Sequence, residues 1–146
     1  MILRSIREAD IGECAKLFAD VFSSEPWNEG WDETLALERL THFYHSMGFS
    51  GVLAEQDRII GFALGNIEPF YFGSMFYLRE MCIQASLQNQ GIGGEILDAL
   101  ENELISQGVK SIYLTTERAI PAANFYQKNG YNFSEKMGFY AKNVNS

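Results

Sequence analysis

The segment Gln88-Asn89-Gln90-Gly91-Ile92-Gly93-Gly94 constrains this chain more than any other. It follows a strand-like run, Phe76 to Ile83, and opens a helix-like run from Glu95 to Gln107. Such a junction predicts a strand-helix-strand unit whose two strands lie parallel, because the connection is a crossover. Glycines there remove the Cβ atoms that keep a backbone away from a ligand. The first helical turn adds N–H groups without intrahelical partners and the positive end of the dipole. The arrangement suits a phosphate group. Spacing sets aside two common phosphate loops. A Walker loop needs a Lys after its second Gly, and none follows here. The dinucleotide fingerprint needs Gly-x-Gly-x-x-Gly, and Ile96 stands where the third Gly would be. What remains is Gln-x-x-Gly-x-Gly, on Gln88, Gly91 and Gly93. The plain alternative is that both glycines only let strand and helix pack closely.

Periodicity organises the remainder. Ile2 to Ile6 suits a strand. Asp10 and Glu13 form a capping-box pattern before a helix whose apolar face is Ile11, Cys14, Ala15, Phe18, Val21 and Phe22. Pro26 stops that helix. Pro26 to Trp31 reads as a loop, and a second helix begins at Asp32, carries Leu40, Phe43, Tyr44 and Met47 on one side, and ends at Gly48. Strands over Gly51–Glu55 and Ile59–Ile67 flank a turn at Gln56-Asp57-Arg58, and Phe70 to Ser74 reads as an aromatic loop. Gly108 ends the helix after the glycine turn. Ser111 to Thr116 is a strand, Pro121 to Lys128 a short helix stopped by Gly130, and Phe133 and Lys136 to Val144 are closing strands. The expectation is one domain over residues 1–146 of the α/β (α+β) class. Its mixed, mostly antiparallel central sheet has about seven strands, with helices on both faces.

Composition narrows the partners. The net charge is −8, from 19 acidic and 11 basic residues, which argues against nucleic acid and favours cationic substrates by steering. Acidity that only maintains solubility is the plainer account. No window approaches the roughly 20 apolar residues of a membrane span, and no signal-peptide block opens the chain, so a cytoplasmic protein is expected. Cys14 and Cys82 form no CxxC pair, and His42 and His45 have no third ligand at metal spacing. No metal is expected.

Three blocks, in order, carry a resemblance: the strand ending Glu80-Met81-Cys82-Ile83, the turn Gln88 to Gly94, and Ala122-Ala123-Asn124-Phe125-Tyr126-Gln127-Lys128-Asn129-Gly130-Tyr131. Together, from about Phe76 to Phe133, they resemble the coenzyme A-binding half of a GNAT-superfamily N-acetyltransferase. The last block is similar to the family's Ala-x-x-x-Tyr-x-Lys-x-Gly-aromatic signature. Members often place Asn three residues before its first Ala, and this chain has Ala119 there, leaving Asn124 as the alternative contact. The resemblance implies an acyltransferase that moves an acetyl group from acetyl-CoA to a primary amine, and members often pair as dimers.

Roles follow from chemistry and resemblance together. Gln88, Asn89, Gln90, Gly91, Ile92, Gly93 and Gly94 would hold the coenzyme A diphosphate. Met81, Cys82 and Ile83 would offer backbone groups to the pantetheine arm, with the Cys82 or Ile83 amide as oxyanion donor. Asn124, Tyr126 and Lys128 complete the cofactor set, and Tyr126 is the candidate general acid. Glu80 is a candidate base or substrate contact, or else a structural partner of Arg79 or Arg118. Strand alternation puts Leu78, Glu80 and Cys82 on one side, Arg79, Met81 and Ile83 on the other. Cys82 as an acyl-accepting nucleophile is weighed against buried packing. Trp27, Trp31, Phe70 and Tyr71, with Glu25, Glu29 and Glu68 nearby, suit a cation beside aromatic faces, or the tryptophans staple helices to the sheet. A small cationic amine is the expected acceptor. A protein N-terminus or lysine, and a non-catalytic acyl-CoA sensor, are the alternatives.

Overall fold

The apolar runs in the first three quarters of the chain pair as a meander with one crossover. A computed structural model describes residues 1–145, which form two units, Met1–Leu114 and the residues from Thr115 onward. In the first, strands β1 (Ile2–Ser5), β2 (Phe49–Gln56), β3 (Arg58–Phe70), β4 (Gly73–Ile83) and β5 (Val109–Tyr113) lie in the order β1-β2-β3-β4-β5. Every pairing is antiparallel except β4–β5, which is parallel because helix α3 (Ile92–Ser106) makes the crossover. Helices α1 (Ile11–Phe22) and α2 (Glu33–Tyr44) connect β1 to β2.

Alternation sends successive side chains to two cores. Ile11, Cys14, Phe18 and Phe22 of α1 pack with Leu40 and Phe43 of α2 against Leu53, Phe62, Leu64 and Cys82. Ile96, Leu97, Leu100 and Leu104 of α3 are buried outside that cluster. Over Gly61 the Ile83 and Ile96 side chains come together, which places α3 on the opposite face. The mixed sheet with helices on both faces is therefore present.

One irregularity positions everything that follows. Leu64 pairs with Glu80 and Gly65 with Leu78, so Arg79 is an extra residue in β4, a β-bulge. A Cβ at Gly65 would overlap the Tyr77 carbonyl oxygen, so only glycine lets the strands close there. Regular alternation through Arg79, expected from sequence, is consequently broken. Arg79 and Glu80 both face α2, as their contacts show below.

Other expectations need correction. The sheet has five strands rather than seven: residues 131–145 form none, and Met137, Phe139, Tyr140 and Val144 are exposed. A strand is stable only when a neighbour completes its ladder, and no other strand is present in the second unit among the described residues. The aromatic loop shortens to a tight turn, since Phe70 pairs with Gly73. Strand β5 begins at Val109, immediately after Gly108, whose φ of +80° ends the helix.

The Asp10–Glu13 capping box does not form. Asp10 lies in a 3₁₀ turn, Glu8–Asp10, and accepts from the Arg7 N–H at 2.7 Å and from both Arg4 terminal nitrogens at 2.8 and 2.9 Å. Glu13 instead accepts from the Ile59 N–H at 2.6 Å. Bonding to Arg4 holds the Asp10 carboxyl below its ordinary pKa, against the opposing effect of burial. A depressed folded-state pKa gives stability that is present above the unfolded value and lost as pH falls through the folded one. Asp10→Ala is expected to cost about 2 kcal/mol at neutral pH, read from urea unfolding, and to flatten the loss of stability in acid.

Candidate active site

The glycine turn is built as its sequence suggests. Asn89 and Gly91 adopt left-handed φ values of +63° and +84°, and Gly91 is the residue before α3. Space around Gly91 is open, so its backbone conformation rather than crowding calls for glycine. The Gly91 carbonyl accepts from the Glu95 N–H at 3.2 Å, and no side chain caps the helix, so the N–H groups of Ile92, Gly93 and Gly94 have no intrahelical acceptor. Gln88, Asn89, Gln90 and Gly91 are exposed, while Ile92 and Gly93 are buried. Gln88 Nε2 donates to the Ile83 carbonyl at 3.0 Å, tying the turn to the end of β4.

Beside the turn, β4 has an open edge. Its pairing with β5 runs from Ser74 to Tyr77 only, although β4 continues to Ile83. Among the described residues no strand pairs with that edge past Tyr77. The Gln84 N–H donates to the Ile60 carbonyl at 2.8 Å, and hydrogen-bonded pairs alternate along an antiparallel ladder. Cys82 is therefore turned toward β3, and the N–H and C=O groups of Met81 and Ile83 face the open edge. The Ile83 carbonyl, taken by Gln88, agrees. Of the two amides expected as oxyanion donors, Ile83 points outward and Cys82 does not.

Glu80 is largely buried, and its Oε1 accepts from Arg39 Nε at 2.7 Å. Its partner is thus Arg39 of α2 rather than Arg79 or Arg118. Burial pushes the Glu80 carboxyl above the ordinary glutamate range, and Arg39 opposes the shift without cancelling it. The Arg39 guanidinium lies 4.8 Å from the Phe43 ring centre and 5.7 Å from that of Trp31, whose Nε1 donates to Glu29 at 2.7 Å. Arg79 sits 4.0 Å from the Tyr77 centroid and 5.3 Å from that of Phe43. Tyr77 stacks on Tyr113 at 4.5 Å, and the Tyr113 hydroxyl donates to Glu68 at 2.7 Å. Burial, followed by that bond, pushes the Tyr113 phenol up to about 12. These side chains form a continuous aromatic and charged surface on the α2 side of the sheet.

Expected acceptor residues divide. Trp27 and Trp31 pack against the α1–α2 core, Trp27 on Phe22 at 5.1 Å and Trp31 on Phe18 at 5.0 Å, so both staple the helices. Trp31 also adjoins Arg39. Phe70 and Tyr71 stack on each other at the β3–β4 turn, about 20 Å along β4 from Glu80 at the usual rise per residue. The structure does not bring them to Glu80. Cys82 is buried and its thiol is pushed well above the ordinary value by burial, which suits packing and not a nucleophile. In the second unit, helix α4 (Pro121–Lys128) carries Asn124, Tyr126 and Lys128. Tyr126 is half-buried, with its ring 5.2 Å from Phe125 and 5.8 Å from Tyr131. Asn124 and Lys128 are exposed. Arg39, Phe43, Tyr77, Arg79 and Tyr113 were absent from the expected site. For Tyr77 and Arg79 the charge and aromatics on β4 were the available signal; Arg39 and Phe43 on α2 and Tyr113 on β5 had none.

The sequence profile of the Acetyltransferase (GNAT) family matches residues 12–131. The chain belongs to the GNAT acetyltransferase family. The match takes in the glycine turn, the open β4 edge, the Arg39–Glu80 pair and Tyr126. Solved structures share the fold of this GNAT chain. An aminoglycoside acetyltransferase, meta-AAC0020, from an uncultured soil metagenomic sample in complex with sisomicin is 16% identical, with 99% of this chain and 96% of that one covered and a TM-score of 0.77. Aminoglycoside N-acetyltransferase AAC(6')-Iy in complex with CoA is 16% identical, covering 97% and 93%, with a TM-score of 0.78. An integron cassette protein from the mobile metagenome of V. cholerae is 20% identical, covering 99% and 93%, with a TM-score of 0.80. No curated protein sequence matches significantly.

In this GNAT acyltransferase the Arg39–Glu80 pair should be visible in stability. A carboxyl whose pKa is raised by folding favours the folded state at low pH and opposes it as pH rises. Arg39→Gln removes the opposing charge and leaves Glu80 buried alone. Urea unfolding at about pH 8 should show a loss of about 2 kcal/mol, below that of a fully buried pair because Arg39 reaches solvent. As pH falls through the raised Glu80 pKa the loss should shrink, because a protonated Glu80 needs no counter-charge.

Proposed function

We propose that this chain transfers an acetyl group from acetyl-coenzyme A to the primary amine of a small cationic molecule. The observation that carries the reading is the open β4 edge beside the glycine turn. Backbone groups such as the N–H and C=O of Met81 and the N–H of Ile83 need partners, and a ligand bearing its own amides can supply them. The pantetheine arm is such a ligand. The free N–H groups of the first turn of α3, with Gly91 keeping a Cβ out of the way, fit its diphosphate. Acetyl-coenzyme A, when bound, supplies the thioester carbonyl and the thiolate leaving group.

The chain's own residues divide the remaining work. The outward N–H of Ile83 or Met81 is a donor for developing oxygen charge. Glu80 takes a proton from the amine, directly or through water, since burial keeps its carboxyl closer to neutrality than an exposed glutamate. Tyr126 is assigned the proton donor on the signature it shares with the family; a phenol held within hydrogen-bond reach can protonate a leaving thiolate. Glu29, Glu68 and the rings of Trp31, Phe43 and Tyr77 suit an amine that arrives as a cation. The solved structure of meta-AAC0020 with sisomicin supports a small molecule over a protein terminus as acceptor.

Thiol release over a panel of amines, with coenzyme A affinity measured by calorimetry, tests the reading. Tyr126→Phe should lower kcat about 100-fold with coenzyme A affinity unchanged. Glu80→Gln should remove an acidic limb of the kcat/KM profile whose midpoint lies above the ordinary glutamate pKa. Equal turnover in Tyr126→Phe would remove the acid role. A wild-type chain that binds coenzyme A and acetylates no amine would be a sensor, and one that does not bind it would refute the whole reading.

A further inference from the structure

We infer that the acceptor carries a carboxylate as well as its amine, and that Arg79 receives it, which makes the substrate class amino-acid-like. The inference rests on the acetyl-transfer reading and narrows its acceptor from a cationic molecule to one whose ammonium is accompanied by a carboxylate. Two guanidinium groups meet on one ring, Arg39 at 4.8 Å and Arg79 at 5.3 Å from the Phe43 centroid. Two like charges on one ring favour an anion beside them. Glu80 neutralises Arg39 at 2.7 Å. Arg79 has no carboxylate within salt-bridge distance among the described residues, although it is exposed.

Its position is also unusual for a solvent-facing arginine. The bulge brings Arg79 onto the same face as Glu80, and the guanidinium rests at van der Waals distance on Tyr77, 4.0 Å from the centroid, with Phe43 beside it. A stacked guanidinium is restrained in orientation, yet its N–H groups lie in its own plane and remain free to form a two-pronged contact with a carboxylate. Glu80, the candidate base, is the next residue. An α-amino acid presents amine and carboxylate a few atoms apart, which matches a base and a free cation on adjacent residues of one face.

The test offers the common amino acids, each beside its carboxamide and its decarboxylated amine, to the full chain saturated with coenzyme A. Calorimetry reads binding, and thiol release with acetyl-coenzyme A reads transfer. At least one amino acid should bind about tenfold tighter than its carboxamide. Arg79→Gln should erase that gap, in KM rather than kcat, with coenzyme A affinity retained; Arg79→Lys should restore part of it. The inference is overturned if no acid binds better than its amide, or if the gap persists in Arg79→Gln. An acid preference without thiol release would instead overturn acetyl transfer and leave the Arg79 assignment standing. Transfer to amides and plain amines as readily as to acids would do the reverse.

Discussion

Between Leu64 and Gly65 the β3–β4 ladder skips Arg79, and the chemistry of the first unit follows from that slip. In an unbroken strand Arg79 and Glu80 would project to opposite faces. One of the two would then point toward α3, whose inner positions are Ile96, Leu97, Leu100 and Leu104. A charge there would lack a partner, and burying it would be costly. With the bulge, both charges reach the α2 face, where Arg39, Phe43, Trp31 and Tyr77 can receive them. Gly65 is the condition for this, because any side chain at that position would meet the Tyr77 carbonyl.

Two acids in the same unit show how environment divides roles. Asp10 accepts three short bonds, two from Arg4 and one from the Arg7 amide, and its carboxyl is held below the ordinary range. Glu80 accepts one bond from Arg39 and is held above it by burial. The difference is the number of donors set against desolvation. Asp10 is committed as an anion and joins the first strand to the turn ahead of α1. Glu80 has fewer donors to set against its burial, which suits the base role proposed for it.

Sequence legibility followed the range of the interactions. The glycine turn was readable because a left-handed φ of +84° at Gly91 has a local signature, as has the amphipathic face of α3. The two-faced sheet was readable from alternation. The bulge was not, since Arg79-Glu80 looks like ordinary alternation until the register of β3 is known. Nor was the partner of Glu80, which comes from Arg39, far away on α2. Asp10 misled because Arg7 and Arg4 compete for it, while Glu13 is drawn to Ile59. Phe70 and Tyr71 misled because an aromatic loop near charged strands resembles a pocket wall. The length of the β3–β4 hairpin carries them away. The closing strands failed because residues 136–144 have strand composition without a ladder.

Parity along the end of β4 completes the division of labour. Glu80 and Cys82 send side chains toward α1 and α2 and backbone groups toward β3, so they hold the sheet and furnish one face with chemistry. Met81 and Ile83 do the opposite. Their side chains go to the α3 face, where Ile83 meets Ile96 over Gly61, and their N–H and C=O groups turn to the open edge. On the reading proposed above, Glu80 and, through the bulge, Arg79 would meet an acceptor with their side chains, while Met81 and Ile83 would meet a donor with their backbone groups. Gln88 links the second function to the glycine turn by its bond to the Ile83 carbonyl. A ligand on that edge, as proposed above, would have the outward amides of β4 on one side of residues 84–91 and the N–H groups that begin α3 on the other.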